Sequence, residues 1–458
     1  MSALLPIVGQ DPLPQIPANK KALTRLQLIG LIVLGFGLSI ATFVSFYRPQ
    51  IEDWTFFTAI FLPATTGSLL YIWSTYSGTI PQIMNDGVVQ SGAQSRGRIG
   101  YALGISITGF YCLLYWYPDA LAGLYSTLNP LAQILHGGAA DQWFMYGFMY
   151  TLAMLIMGVR MYYRYRNNAY QKLRTLSVVF FQVAFAFLIP SLLKRLNQPE
   201  FYFSYFWPLK PEYLFPESVH SLIQSGHGLG IFMVVWGVVA FFVLTPILTY
   251  RFGKRWYCSW VCGCGGLAET LGDPWRHLSD KSNDAWRFER WSVHLTLLTI
   301  VIVTCLLWAN SWLEGELLGT ISLAASKWYG FFVGAMLSGV VGVGFYPLMG
   351  SRVWCRFFCP MAAALGLWQR FFSRFRITTN GGQCISCGNC STYCEMGIDV
   401  RAYAQRGENI VRASCVGCGV CSAVCPRGVL KLESGSTSKD RFDGAAHPFR
   451  EFIKSLRS

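Results

Sequence analysis

The chain has 458 residues, of which 53% are hydrophobic and 13% charged, with a formal net charge of +14. An ordinary soluble domain carries roughly 25% charged residues, so this composition excludes a soluble globular protein and points to a membrane. No nucleic-acid-binding motif accompanies the positive charge, so nucleic acid is not an expected partner. In so apolar a chain the charge reflects Lys and Arg held on the cytoplasmic side.

Residues 1–25 read as a cytoplasmic N-terminal segment. Eight apolar runs follow, at about 26–47, 55–77, 99–117, 143–162, 175–193, 228–250, 292–312 and 328–349. Each is long enough to cross a bilayer. The first lacks a small-residue cleavage site and reads as a span rather than a signal peptide. Pro63 and Pro190 bend their helices or sit near the ends. With both termini cytoplasmic, all but five of the 37 Lys and Arg fall in cytoplasmic segments or adjoining helix ends. The five are Arg48, Lys194, Arg195, Lys210 and Lys327. That asymmetry sets the orientation and leaves every cysteine motif on the cytoplasmic side, where thiols stay reduced.

The loop 74–97 is polar and reads as solvated or packed on a cytoplasmic module. Segments 118–142 and 194–227 fall on the far side. The second contains YFSYFWPLKPEYLF, read as an interfacial aromatic belt, with a cap over a small-molecule site as the alternative. His220 and His227 near it are candidates to touch a quinone head group, or are plain interfacial histidines. No two His share a mid-span depth, so haem is not expected. Cys112 and Cys305 stand alone in apolar runs and read as small buried hydrophobes.

Two short patches follow spans directly: RWYCSWVCGCGG (255–266) and RVWCRFFCPMAA (352–363). Each has Arg three residues before its first Cys, an aromatic one before it, and a second Cys four after it, which reads as an internal repeat. On a helix, such a pair has Cβ atoms about 5–6 Å apart, too wide for a disulfide at about 3.5–4.5 Å. Cys258, Cys262, Cys264, Cys355 and Cys359 are therefore candidates for a further cluster or metal site. The plainer reading is a set of buried boundary thiols. Arg255 and Arg352 would lower nearby thiol pKa values or face lipid phosphate. Residues 267–291, with Trp275, Trp286 and Trp291, suggest an amphipathic helix on the membrane surface. Gly330, Gly334, Ser338 and Gly342 recur every four residues and read as a helix-packing face.

The strongest signal is at the C-terminal end, where CISCGNCSTYCEMG (384–397) and CVGCGVCSAVCPRG (415–428) both follow C-x2-C-x2-C-x3-C. This is the bacterial ferredoxin spacing, in which the fourth Cys of each run ligates the other cluster. Cys384, Cys387, Cys390 and Cys425 would hold one [4Fe–4S] cluster, and Cys415, Cys418, Cys421 and Cys394 the other. Structural zinc prefers two CxxC pairs across a longer gap and fits poorly. The second run closes with Cys425-Pro426 as the pattern wants, whereas the first has Cys394-Glu395. Residues 433–458 read as a linker and a basic tail.

The order of span, RxxCxxxC, span, CxxxCP and two-cluster ferredoxin over residues 228–430 resembles the NosR/NapH type of membrane iron–sulfur protein. Here Cys262 is followed by Gly263 and Cys264 instead of Pro, and no large flavin-binding domain precedes the spans. The resemblance implies a bacterial inner-membrane protein that passes electrons between the quinone pool, cytoplasmic donors and extracytoplasmic respiratory enzymes.

The expected fold is an all-α polytopic membrane protein of about eight transmembrane helices with a C-terminal ferredoxin-like 2[4Fe–4S] α+β module. Its parts are helices 1–6 (26–250), a Cys patch with a surface helix (251–291), helices 7–8 (292–349), a second Cys patch (350–376), the module (377–432) and the tail. The expected function is that of an electron-transfer subunit of an oxidoreductase system, in contact with lipid and another redox protein, with quinone at one end. The alternatives are a membrane metalloreductase or assembly factor and a cluster-based redox sensor.

Overall fold

The computed structural model describes residues 23–47, 54–77, 94, 96–253, 255–314, 319, 321–373, 375–380 and 383–434. The N-terminal segment, most of the 74–97 loop, Arg48, His447 and the C-terminal tail lie outside the described residues, as does the side chain of His227.

Seven helices among the described residues are long and apolar enough to cross a membrane. These are α1 (Arg25–Tyr47), α2 (Trp54–Tyr76), α3 (Arg98–Trp116), α4 (Gln142–Arg164), α5 (Ala169–Arg195), α6 (Gly228–Phe252) and α7 (Asn283–Trp312). The run at 328–349 is divided. A helix over Ile321–Tyr329 continues as a π-helix over Gly330–Val341, turns, and adds one short helix at Tyr346–Met349; the first two segments together are called α8. The outward faces are apolar: Phe36, Leu62, Ile105, Leu176 and Leu295 are all exposed, as helices bathed in lipid require. Cys305 is on such an outward face rather than buried, and Cys112 is half-buried.

Helices α1 and α2 cross closely because both carry glycine at the contact. A Cβ on Gly67 would stand 2.6 Å from the Gly30 carbonyl oxygen and 2.5 Å from the Leu34 nitrogen. Gly67→Leu is therefore expected to lower the thermal midpoint, at an overpacking cost of about 1–3 kcal/mol. Gly35→Leu, which meets nothing within 4 Å, is expected to leave it unchanged.

The small face foreseen on α8 does not pack as its fourfold spacing suggests. Nothing approaches a Cβ placed on Gly330 or Gly334, while Gly339 meets the rings of Tyr111 and Tyr115 on α3. Gly330, Gly334 and Ser338 do share one side of α8, but that side lines a cavity instead of packing on a helix.

No single surface helix covers 267–291. Residues Gly263–Thr270 form a buried helix and Asp273–Leu278 a buried 3₁₀ turn that includes Trp275. From Asn283 the chain is already in α7, capped by the Ser282 side chain. Four Gly and Ala in the 263–268 stretch let this short helix press against α4 and α5: a Cβ on Gly266 would meet the Met154 methyl at 2.5 Å and Val178 Cβ at 3.2 Å.

The C-terminal module is a two-stranded antiparallel sheet, β1 (Phe375–Thr379) with β2 (Leu430–Ser434), in the register Phe375↔Ser434 to Thr379↔Leu430. Two one-turn helices, Asn389–Thr392 and Val420–Ala423, begin after Gly388 and Gly419, both left-handed. The module has its own pseudo-repeat in backbone angles. Ser386 and Gly417 both have positive φ, as do Gly397 and Gly428. It is packed on the bundle, since one apolar core contains Cys258, Cys262, Cys355 and Cys359 together with Cys390, Cys415 and Cys421.

Candidate functional site

The two Cys patches do not form continuous helices, and this changes the geometry foreseen for them. In each, the second Cys donates its N–H five residues back: Cys262 to Tyr257 O at 2.9 Å and Cys359 to Trp354 O at 3.0 Å. Each second Cys then turns extended and stands at the N-cap of a new helix, Gly263–Thr270 or Pro360–Phe372. A helix N-terminus offers unpaired N–H groups and the positive end of its dipole, which favour a thiolate.

The patches face one another through exchanged arginines. Arg255 Nη1 donates to the Cys355 carbonyl at 2.9 Å, and Arg352 Nη1 to the Cys258 carbonyl at 3.3 Å. The internal repeat is thus a pair of half-sites, each braced by the other's Arg. Both guanidinium groups are buried, so neither faces lipid phosphate. Cys258, Cys262, Cys355 and Cys359 are all buried and lie close enough to interact electrostatically. Cys264 is half-buried. Its counterpart six residues after Cys355 is Met361.

Two small cavities lie in the module. One is lined by Cys384, Cys387, Cys390 and Cys425, the other by Cys394, Cys415, Cys418 and Cys421. Apolar side chains close both, including Ile385, Val429 and Leu430 around the first, and Ile377, Met396 and Ile410 around the second. Arg255 ties the second cavity to the half-sites, since its own N–H reaches the Cys415 carbonyl at 3.4 Å. Ser259 Oγ donates to Val416 O at 2.7 Å. Burial pushes the Cys390 thiol up to about 12, so a thiolate there is reached by bonding to metal. Among the described residues, no three His, Cys, Asp or Glu converge tightly enough for a single metal ion.

Between the module and the half-sites lies a buried ion network that the sequence did not reveal. Glu269 accepts from Arg174, from Arg276 at 2.8 Å and from Arg352 at 3.0 Å. Glu395, which stands where the ferredoxin pattern has Pro, pairs with Arg352 at 3.1 Å and Arg276 at 3.5 Å. Asp273 takes Arg160 at 2.5 Å and Arg276 at 2.9 Å. Glu395 therefore joins the module to the bundle through arginines shared with Glu269. Gln171 Nε2, donating to Cys418 O at 2.5 Å, and Ser279 Oγ, donating to Glu395 O at 2.7 Å, complete the join.

Burial alone would raise the Asp273 pKa, but Arg160, Arg276 and Arg164 outweigh it and hold the carboxyl at about 2. A depressed carboxylate contributes stability above its unfolded value of about 3.9 and loses it as pH falls through the folded value. The thermal midpoint of the full chain is expected to begin falling only below about pH 4, as this bundle carboxylate starts to protonate.

The aromatic segment of 194–227 is not a belt at the membrane surface. Phe201, Ser204, Phe206 and Phe215 are buried. The limb dips into the bundle, where Tyr257 OH donates to Ser204 O at 2.5 Å and Phe206 meets the Tyr257 ring at 5.3 Å. Trp207 Nε1 donates to Thr304 Oγ1 at 3.1 Å, and Trp236 Nε1 to Phe203 O at 2.9 Å. The limb thereby packs against Tyr257, the residue next to Cys258 of the first half-site. His220 stands apart, edge-on to Trp308 at 6.2 Å.

The 4Fe-4S dicluster domain family matches residues 383–430, and the 4Fe-4S binding domain family matches 234–282 and 332–378. The second match spans each half-site with the helix before it. Over 173 residues the chain is 31% identical to YccM, named as an electron transport protein, of Escherichia coli (strain K12), covering 36% of this chain and 46% of that one. It is 30% identical over 152 residues to the methylamine utilization ferredoxin-type protein MauN of Methylobacillus flagellatus, covering 32% and 50%. It is 24% identical over 193 residues to the regulatory protein NosR of Stutzerimonas stutzeri, covering 39% and 25%. The match spans half or less of the length of these relatives. No solved structure matches. With the fold, these likenesses show a chain that joins 4Fe-4S binding domains to helices long and apolar enough to cross a membrane, and that is similar to electron transport and ferredoxin-type proteins.

Proposed function

We propose that the protein relays single electrons through two [4Fe–4S] clusters in the module and a further cluster at the half-sites. Cys384, Cys387, Cys390 and Cys425 would hold the outer cluster, and Cys394, Cys415, Cys418 and Cys421 the inner one. Cys258, Cys262, Cys355 and Cys359 would hold the third, with Cys264 beside it. The observation that carries this reading is the pair of module cavities, each lined by three thiols of one run and the fourth of the other. All-thiol donor sets in apolar surroundings suit iron–sulfur clusters.

The relay runs between a cytoplasmic redox partner and the quinone pool or a respiratory enzyme, in a bacterial inner membrane with module and termini cytoplasmic. Arg25, Arg98, Arg164 and Arg251 stand at helix ends assigned to the module's side, which supports that orientation. When bound, the clusters supply one-electron redox chemistry. The chain's own residues fix their neighbourhood: Arg255 and Arg352 brace the half-sites, and five buried arginines (Arg160, Arg164, Arg174, Arg276 and Arg352) face three carboxylates. The surplus positive charge favours anionic clusters. Iron and acid-labile sulfide per chain, with EPR of the reduced protein, test the reading. About twelve Fe supports three clusters, and about eight leaves the half-sites without one. Zinc in place of iron ends the proposal.

A further inference from the structure

A cavity of about 660 Å³ enters the bundle from the end remote from the module. Its rim carries Asp141, the N-cap of α4, and Lys194 near the end of α5, both about half exposed and 3.9 Å apart. Arg164, at the other end of α4, lies over the Tyr393 ring of the module, which fixes the direction of the opening. The cavity descends between Phe144, Phe187 and Pro190 to a floor of Tyr150, Gln182, Tyr205 and Cys264. Tyr150 stands about 12 Å below the start of α4, at 1.5 Å per residue, so the floor lies well inside the bundle. A second lobe of about 240 Å³ continues from Cys264 and Tyr205, along the bare Gly330 and Gly334 face of α8, to Trp354 and Pro360.

The floor is polar, buried and incompletely paired. Gln182 is 4% exposed; its Nε2 donates to Thr151 Oγ1 at 3.1 Å, while its Oε1 has no partner. A ligand donor in the cavity would satisfy this buried acceptor. The Gly263 N–H bonds to the Tyr205 phenol oxygen, leaving the phenol hydrogen to donate elsewhere. The two charged groups that line both lobes, Lys210 and Glu212, are of opposite sign, the walls are aromatic, and the volume falls in the range of small-molecule sites. The chemistry these features select is a neutral ring with one donor and one acceptor oxygen. A metal ion is disfavoured, since no three of its usual ligands converge. Cys264 adds the redox element. It breaks the repeat where the other half-site has Met361, it stands two residues from buried Cys262, and it lines both lobes.

We propose that this cavity seats a ring of the hydroquinone class. Gln182 Oε1 accepts from one ring hydroxyl, Tyr205 donates to the other oxygen, and Cys264 is the contact toward the half-sites. The proposal rests on the relay reading above and gives that relay a terminal remote from the module. Oxidation of the hydroquinone yields the quinone, two electrons and two protons. The electrons pass singly to the thiol-held clusters, and the protons leave toward the rim, where Asp141, Glu200 and Glu212 are exposed. Reduction is the reverse.

Binding is tested apart from electron transfer by calorimetric titration of the full-length holoprotein with duroquinone, alongside Gln182→Leu and Ala186→Trp. The expected result is saturable binding that weakens about tenfold in Gln182→Leu and is lost in Ala186→Trp, with iron content unchanged in both. Cys264→Ser is expected to keep duroquinone binding and iron content but to slow bleaching of the cluster absorbance by duroquinol at least tenfold. Binding that both cavity variants leave intact overturns the site, as does tight Cu(II) binding with no heat from duroquinone. Loss of iron from the wild-type protein with duroquinone binding intact would instead remove the relay and leave the cavity assignment standing.

Discussion

Glu269→Ala is expected to abolish stable folding of the full chain. The side chain is fully buried and takes hydrogen bonds from Arg174, Arg276 and Arg352. Removing it takes the carboxylate partner from Arg174 and leaves Arg352 with Glu395 and Arg276 with Asp273 and Glu395, and breaking a buried pair by deleting one partner costs about 3–5 kcal/mol. A membrane protein of ordinary stability, roughly 5–15 kcal/mol, would lose a large share of it. The measurement is detergent-solubilised yield and thermal midpoint. Glu395→Pro restores the usual ferredoxin residue and serves as the comparison. It removes only the Arg352 and Arg276 contacts on the module side, so the bundle should fold while the module becomes open to protease. Equal behaviour of the two variants would show that Glu395 does not hold the join.

The second large effect concerns the crossed thiols. Cys394→Ser is expected to remove the inner cluster and Cys425→Ser the outer one, each lowering iron by about four per chain. Along the chain each of these Cys closes the run whose first three thiols line the other cavity. The reduced EPR spectrum of Cys394→Ser should therefore match that of Cys415→Ser and differ from that of Cys384→Ser. The opposite pairing would mean that each run fills its own cavity. The distinction rests on Cys425 lining a cavity with Cys384 and Cys387, and Cys394 one with Cys415 and Cys418.

The features legible in the sequence were those with short-range signatures. Apolar length marked the spans, and the even spacing of cysteines marked the module. The matched RxxCxxxC patches marked the two half-sites, although their reciprocal arginine bonds joined residues about a hundred positions apart. The missed features depended on tertiary contact. Fourfold spacing suggested a helix through Cys258 and Cys262, but the chain closes a wider turn and leaves that helix at its second Cys. Aromatics at 201–215 suggest a surface belt by composition, and only packing against Tyr257 reveals a buried limb. Glu269 and Asp273 fell within the stretch read as a surface helix. Their partners come from α4, α5 and the second patch, which no local pattern could connect. Cys394-Glu395 was visible as a departure, and its reason is the pair of arginines it meets.

The limb packs on Tyr257 beside Cys258, so the half-site thiols share the apolar core of the bundle with the inner thiols of the module. Membrane voltage acts on any charge moved through a bilayer, at about 2.3 kcal/mol per elementary charge per 100 mV across the full hydrocarbon layer. On the proposed relay, an electron passing between the half-sites and the remote cavity would cross only part of that field, while one continuing to the module would cross more. Energising the membrane should therefore bias the reduction level of the clusters unequally, with the direction of the bias reporting which way current runs.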